Sequence, residues 1–138
     1  PADVRMTSTD MNGIPALVFT PDRMTDSRRM LYIHGGGYIS GSPEGYRTLP
    51  AQFARRLGIR VWAPDYRLAP EYPFPAALDD VTTAYEWMTR SGGDDDRIVA
   101  GGDSAGGAMT VSMIVRARNA KLPMPRAGVV ISPWADLE

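Results

Sequence analysis

Short apolar or alternating runs recur along the chain, separated by longer stretches in which apolar residues return every three or four positions. The runs at 4–7 and 16–20 read as two opening strands joined by a turn at Asn12-Gly13, a dipeptide suited to the positive φ angles of a tight hairpin. A continuous apolar run at 30–34 enters a glycine loop, which predicts a buried strand. Within 46–57, Leu49, Phe53 and Leu57 repeat at helical spacing, and Gly58 is a suitable C-terminal stop. A strand at 59–63 leads into a proline-rich crossing over 64–75. The helix expected at 75–90 presents Leu78, Val81, Tyr85 and Met88 on one face, with Gly92-Gly93 beyond its end. A strand at 97–101, a helix at 105–119 and a strand at 128–132 complete the pattern.

An opening strand pair followed by three strand–helix–strand units predicts an α/β fold with a mainly parallel sheet and flanking helices. Residues 1–138 fit one domain by length. The last strand, however, is followed by neither a helix nor another strand, and parallel sheets need cover on both faces. The expectation is therefore an incomplete domain, the first half of a larger catalytic unit.

Composition narrows the choice of partner. The formal net charge is −1, with both signs interspersed, so no patch points to nucleic acid. The acidic run Asp94-Asp95-Asp96 is short and reads as a solvated turn before a strand. With no cysteine, disulfides, thiolate metal sites and cysteine nucleophiles are excluded. That absence fits a reducing compartment, and a cytoplasmic location is the expectation. No apolar stretch approaches the roughly 18–20 residues that span a bilayer.

The chemistry concentrates in two glycine-rich turns. Gly102-Asp103-Ser104-Ala105-Gly106-Gly107 contains G-x-S-x-G between an expected strand and an expected helix. A serine at such a turn takes a strained conformation that lifts its Oγ above the sheet, and the flanking positions have no room for side chains. Earlier in the chain, His34-Gly35-Gly36-Gly37-Tyr38 follows a strand directly. Glycines let the main chain approach a ligand and aim several N–H groups at one point, the arrangement that holds a developing oxyanion. On this reading Gly36, Gly37 and Ala105 are the oxyanion donors and Ser104 is the nucleophile. His34 is the only histidine. It precedes the donor loop directly, so its expected task is to support that loop rather than to act as base. Asp65, Arg67 and Glu71 in the crossing form either a buried ion network or a solvated loop; both readings stand at this point. Tyr38, Tyr72 and Trp134 are read as packed aromatics, with an acyl-pocket lining as the alternative, and Asp136 as a surface-loop residue.

Taken together, residues 34–38, 65–80, 102–107 and Ser132-Pro133-Trp134 resemble the bacterial hormone-sensitive-lipase family of carboxylesterases, also called family IV. The motifs occur in family order, and the resemblance covers essentially the whole chain. It implies an α/β-hydrolase fold and hydrolysis of short- to medium-chain carboxylic esters through an acyl-enzyme on Ser104. It also implies an oxyanion hole from Gly36, Gly37 and Ala105, and no cofactor. Members of that family carry an N-terminal helical cap, and place the triad acid and histidine downstream of the position matching Trp134. Two expectations follow: the missing C-terminal half is the chain's partner, and the chain alone is nearly inactive. A second reading is a ligand-binding module without hydrolysis, since plant gibberellin receptors resemble the same family. A third is one half of a split protein that works only with its complement.

Overall fold

The computed structural model describes residues 2–91 and 97–136; Gly92-Gly93 and the turn expected at Asp94–96 lie outside them. Its elements are β1 (Val4–Asp10), β2 (Pro15–Pro21), β3 (Arg29–Ile33), α1 (Thr48–Leu57), β4 (Arg60–Pro64), α2 (Ala76–Arg90), β5 (Ile98–Asp103), α3 (Ala105–Asn119) and β6 (Ala127–Ile131). Six strands form one sheet in the order β1-β2-β4-β3-β5-β6. The β1–β2 and β2–β4 pairs are antiparallel, and the other three are parallel. The predicted mainly parallel α/β sheet is thus the fold of the molecule.

The opening hairpin turns where expected. Asn12 and Gly13 both have positive φ, 61° and 89°, and the Met11 N–H donates to the Ile14 carbonyl at 2.8 Å. That pair of angles matches the twist of the flanking strands. Gly58, at φ 62°, ends α1 in the left-handed conformation its sequence position suggests.

Side-chain alternation along the strands divides the core in two. Leu17, Phe19, Met30, Tyr32, Val61 and Ala63 pack with Ala51 and Ala54 of α1 on one face. Val18, Leu31, Ile33, Trp62 and Ala100 meet α2 and α3 on the other, through Val81, Tyr85, Met88, Met109 and Met113. Each large side chain removed from water in this way contributes on the order of 1.5–3 kcal/mol. At the far edge the pattern changes: all five residues of β6 are exposed, including Val129, Val130 and Ile131.

The proline-rich crossing resolves the open question about its charges. Arg67 pairs neither with Asp65 nor with Glu71 but with Asp80, thirteen residues on. Its Nε donates to Oδ2 at 2.9 Å and its Nη2 to Oδ1 at 2.7 Å, while its backbone N–H also reaches Oδ2 at 2.9 Å. Asp80 is buried, whereas Asp65, Arg67 and Glu71 are exposed. The arrangement ties the crossing to the N-terminal half of α2 and leaves the guanidinium beside the Tyr72 ring.

Candidate active site

Both glycine-rich turns lie at the C-terminal ends of adjacent central strands. Strand β5 ends at Asp103 and α3 begins at Ala105, so Ser104 is the single residue between them. Its backbone stands at φ 50°, ψ −120°, a region costly for any residue but glycine. Two hydrogen bonds hold it there: its N–H donates to the Ile131 carbonyl and its own carbonyl accepts from the Trp134 N–H, both at 2.9 Å. Residues after β6 therefore help to fix the turn. A serine preceding a helix ordinarily caps it, but here the side chain makes no cap hydrogen bond, so the hydroxyl is not engaged by its own helix.

The flanking glycines have a direct steric reason. A Cβ on Gly102 or Gly106 would overlap the Ile33 carbonyl oxygen. The elbow is thus pressed against the end of β3, where the second turn starts. A Cβ on Gly35 would lie 2.6 Å from Asp103 Oδ2 and 3.2 Å from the Ser104 Cβ. Asp103 joins the two turns through hydrogen bonds: its Oδ1 accepts from the Gly35 N–H at 3.1 Å and from the Tyr32 hydroxyl at 2.5 Å. Burial first, and then the Asp103 carboxylate, push the Tyr32 phenol far up, so it stays a donor.

His34 is 1% exposed and lies between the rings of Tyr66 and Tyr46, with centroids at 4.3 and 5.2 Å. Its Nδ1 sits 2.6 Å from the Gly35 carbonyl, which can only accept, so Nδ1 carries the proton. The Tyr66 hydroxyl donates to the His34 carbonyl at 2.7 Å. Burial pulls the imidazole pKa down, and the Gly35 carbonyl, Asp65 and Asp103 oppose this less strongly. The ring is therefore neutral and locked into the loop. No hydrogen bond joins it to Ser104 among the described residues, and its Nε2 has no partner there.

These contacts orient the loop amides. In a trans peptide the N–H points opposite to the preceding C=O. The Gly35 carbonyl is held by His34, which turns the Gly36 N–H to the other side. The Gly36 carbonyl accepts from the Ile39 and Ser40 N–H groups and from Ser40 Oγ, which turns out the Gly37 N–H. The Ser104 carbonyl accepts from the Trp134 and Ala108 N–H groups, which turns the Ala105 N–H away from α3. None of these three N–H groups has an acceptor among the described residues.

An apolar cavity of about 340 Å³ opens beside the triple-glycine loop, lined by Tyr38, Tyr72, Phe74, Leu78 and Met109 among others. Tyr38 and Tyr72 thus line a cavity rather than only packing. Trp134, 45% exposed, packs at a tilt against Tyr38 and lies beside Gly37. Asp136 lies exposed in the coil after β6. Among the described residues no group of three or more His, Asp or Glu stands close enough together to hold a metal ion, and no helix is long and apolar enough to cross a membrane.

Sequence reasoning located Ser104, both glycine turns and His34. It missed Asp103 as the tie between the turns. The tie rests on β3 and β5 becoming neighbours: in their register Tyr32 pairs with Gly101, and alternation puts Asp103 on the same face two residues on.

Comparison with known proteins agrees with this fold. Residues 30–138 match the family described as alpha/beta hydrolase fold. The chain is 44% identical over 112 residues to an acetyl-hydrolase of Streptomyces hygroscopicus, covering 81% of this chain and 38% of that protein. It is 35% identical over 143 residues to an ethyl acetate hydrolase of Pseudomonas putida, covering 98% of this chain and 45% of that one. The structure superposes with a TM-score of 0.95, at 43% identity, on a crystal structure of an esterase from the bacterial hormone-sensitive lipase family, covering 100% of this chain and 46% of the other. The chain thus spans less than half the length of these relatives. With the G-x-S-x-G elbow, the triple-glycine loop and the sheet order in place, the chain belongs to the alpha/beta-hydrolase-fold family, within its hormone-sensitive-lipase branch.

Proposed function

We propose that this chain is the nucleophile-bearing part of a serine carboxylesterase. The observation that carries the reading is the pairing of a strained, uncapped Ser104 with three unaccepted N–H groups on Gly36, Gly37 and Ala105, on turns pinned to each other by Asp103. In the reaction, Ser104 Oγ attacks the ester carbonyl carbon as a base takes its proton. The carbonyl π electrons move onto oxygen, which the three N–H groups receive. Collapse of this intermediate breaks the bond to the alcohol oxygen, and the protonated base returns its proton to the leaving alkoxide. Water repeats the sequence on the acyl-enzyme and releases the acid.

His34 is unsuited to act as that base, being neutral, buried and bonded through Nδ1 to its own loop. It acts as a support for the donor loop. The base and its orienting acid belong to the remainder of the enzyme, and the exposed apolar strand β6 is the surface on which that remainder packs. Without it, Ser104 is a weak nucleophile, and the 138-residue chain alone is nearly inactive.

The substrates are small carboxylic esters of short to medium acyl chain. The 340 Å³ apolar cavity beside Tyr38 suits such a chain. Two of the relatives are named for acetyl and ethyl acetate hydrolysis. A p-nitrophenyl ester series run on the full-length protein tests this. Turnover greatest between acetate and octanoate supports the reading; no turnover of any ester by a folded sample overturns it and favours ligand binding without hydrolysis.

A further inference from the structure

The end of the sheet opposite Ser104 holds a second cavity, of about 310 Å³, with a different character. It opens where β3 and β4 begin and α2 ends, and Arg28, Arg29, Arg60, Trp62 and Trp87 line it. Arg29 and Arg60 are register partners on adjacent parallel strands, so two like charges stand side by side, an arrangement that weakens a sheet. Among the described residues no carboxylate lines the cavity. Arg28 is paired with Asp26 at 2.7 Å. Arg29 spends one nitrogen, Nη1, on the Met88 carbonyl at 2.9 Å; its Nη2 is closed off from solvent and has no partner there. Arg60 is exposed, and its side chain has no hydrogen bond or ion pair among the described residues.

A half-buried guanidinium with an unsatisfied donor, next to a second one free of carboxylates, is an electrostatic arrangement completed by an anion. The cavity is larger than one phosphate group needs, and its remaining walls include two indoles. We propose that this cavity binds a phosphate group carried by a small organic molecule. Arg60 contacts the phosphate directly, Arg29 supplies uncompensated charge from beneath, and Trp62 and Trp87 bound the space for the organic body. The site stands apart from the ester chemistry, so its test needs no turnover.

Tryptophan fluorescence of the full-length protein, titrated with inorganic phosphate and with phenyl phosphate at ionic strength held constant by chloride, gives the readout, because two tryptophans line the cavity. A saturable change is expected, with phenyl phosphate binding on the order of tenfold tighter and Arg60→Gln weakening both by about tenfold. Arg60→Lys should retain part of the affinity, since it keeps the charge and loses the planar fork. Because Arg60 is exposed, circular dichroism of the variants should match that of the parent. Equal affinity for the two probes would overturn the organic-phosphate assignment in favour of free phosphate. A response that chloride reproduces, or an affinity unchanged in Arg60→Gln, would overturn the site altogether.

Discussion

Asp103 holds the N–H of Gly35, 68 residues earlier in the chain, at 3.1 Å through the same oxygen that receives the Tyr32 hydroxyl. The residue before Ser104 thereby sets where the triple-glycine loop begins. Asp103→Ala should loosen that tie and leave the fully buried Tyr32 hydroxyl without its acceptor, at a cost of about 1–3 kcal/mol of stability. Asp103→Asn keeps an acceptor oxygen and should recover most of it. Urea unfolding of the two variants checks the stability, and kcat for a p-nitrophenyl ester checks the loop: alanine should lower kcat more than it changes KM.

Ser104 stands in a backbone region that glycine occupies freely. Replacing it by glycine should remove roughly 1–3 kcal/mol of strain. Ser104→Gly is therefore expected to raise the melting midpoint above that of the parent while abolishing hydrolysis. Ser104→Ala should abolish hydrolysis with a smaller change in midpoint. Calorimetry on the three proteins separates the two effects.

Gly106 has no room for even one carbon, because a Cβ there would enter the Ile33 carbonyl oxygen. Overpacking against backbone cannot be relieved by a rotamer change. Gly106→Ala should destabilise by about 3 kcal/mol, near the upper end for such insertions. Gly13→Ala meets nothing within 4 Å and should cost less, only what its positive φ imposes. Parallel urea melts rank the pair.

Lowering the pH should weaken the fold through His34. Burial depresses its folded pKa below the ordinary imidazole value of 6.5. Its contribution is thus fully present above 6.5 and is lost as pH falls through the lower, folded value, because the unfolded chain takes up the proton first. As the chain's only histidine, it accounts for any histidine titration in that window. The unfolding midpoint is expected to decline below about pH 6.5 in the parent, and this decline should flatten in His34→Gln. A decline of equal slope in both would assign the effect to carboxylates.

Much of this architecture was legible from local pattern. Leu49, Phe53 and Leu57 marked α1, and the G-x-S-x-G turn marked the elbow, because periodicity and turn chemistry act within a few residues. The Arg67–Asp80 pair was not legible. Asp65 and Glu71 were nearer in sequence, but the path of the crossing points them outward and brings Asp80, on the buried face of α2, under the guanidinium. The Asp103–Gly35 tie was likewise hidden, because it depends on which strands become neighbours. The ends of elements shifted by one to three residues: β1 runs on to Asp10, and α1 starts at Thr48, where the last turn of a loop competes with the first turn of a helix.

The proposed chemistry turns on Ser104 as the nucleophile. Its most direct test is the intact mass of the full-length protein after treatment with a fluorophosphonate, followed by peptide mapping. One equivalent of added phosphonyl group is expected, located on Ser104, with labelling and ester hydrolysis both lost in Ser104→Ala. Labelling at another residue, or hydrolysis that survives in Ser104→Ala, would contradict it.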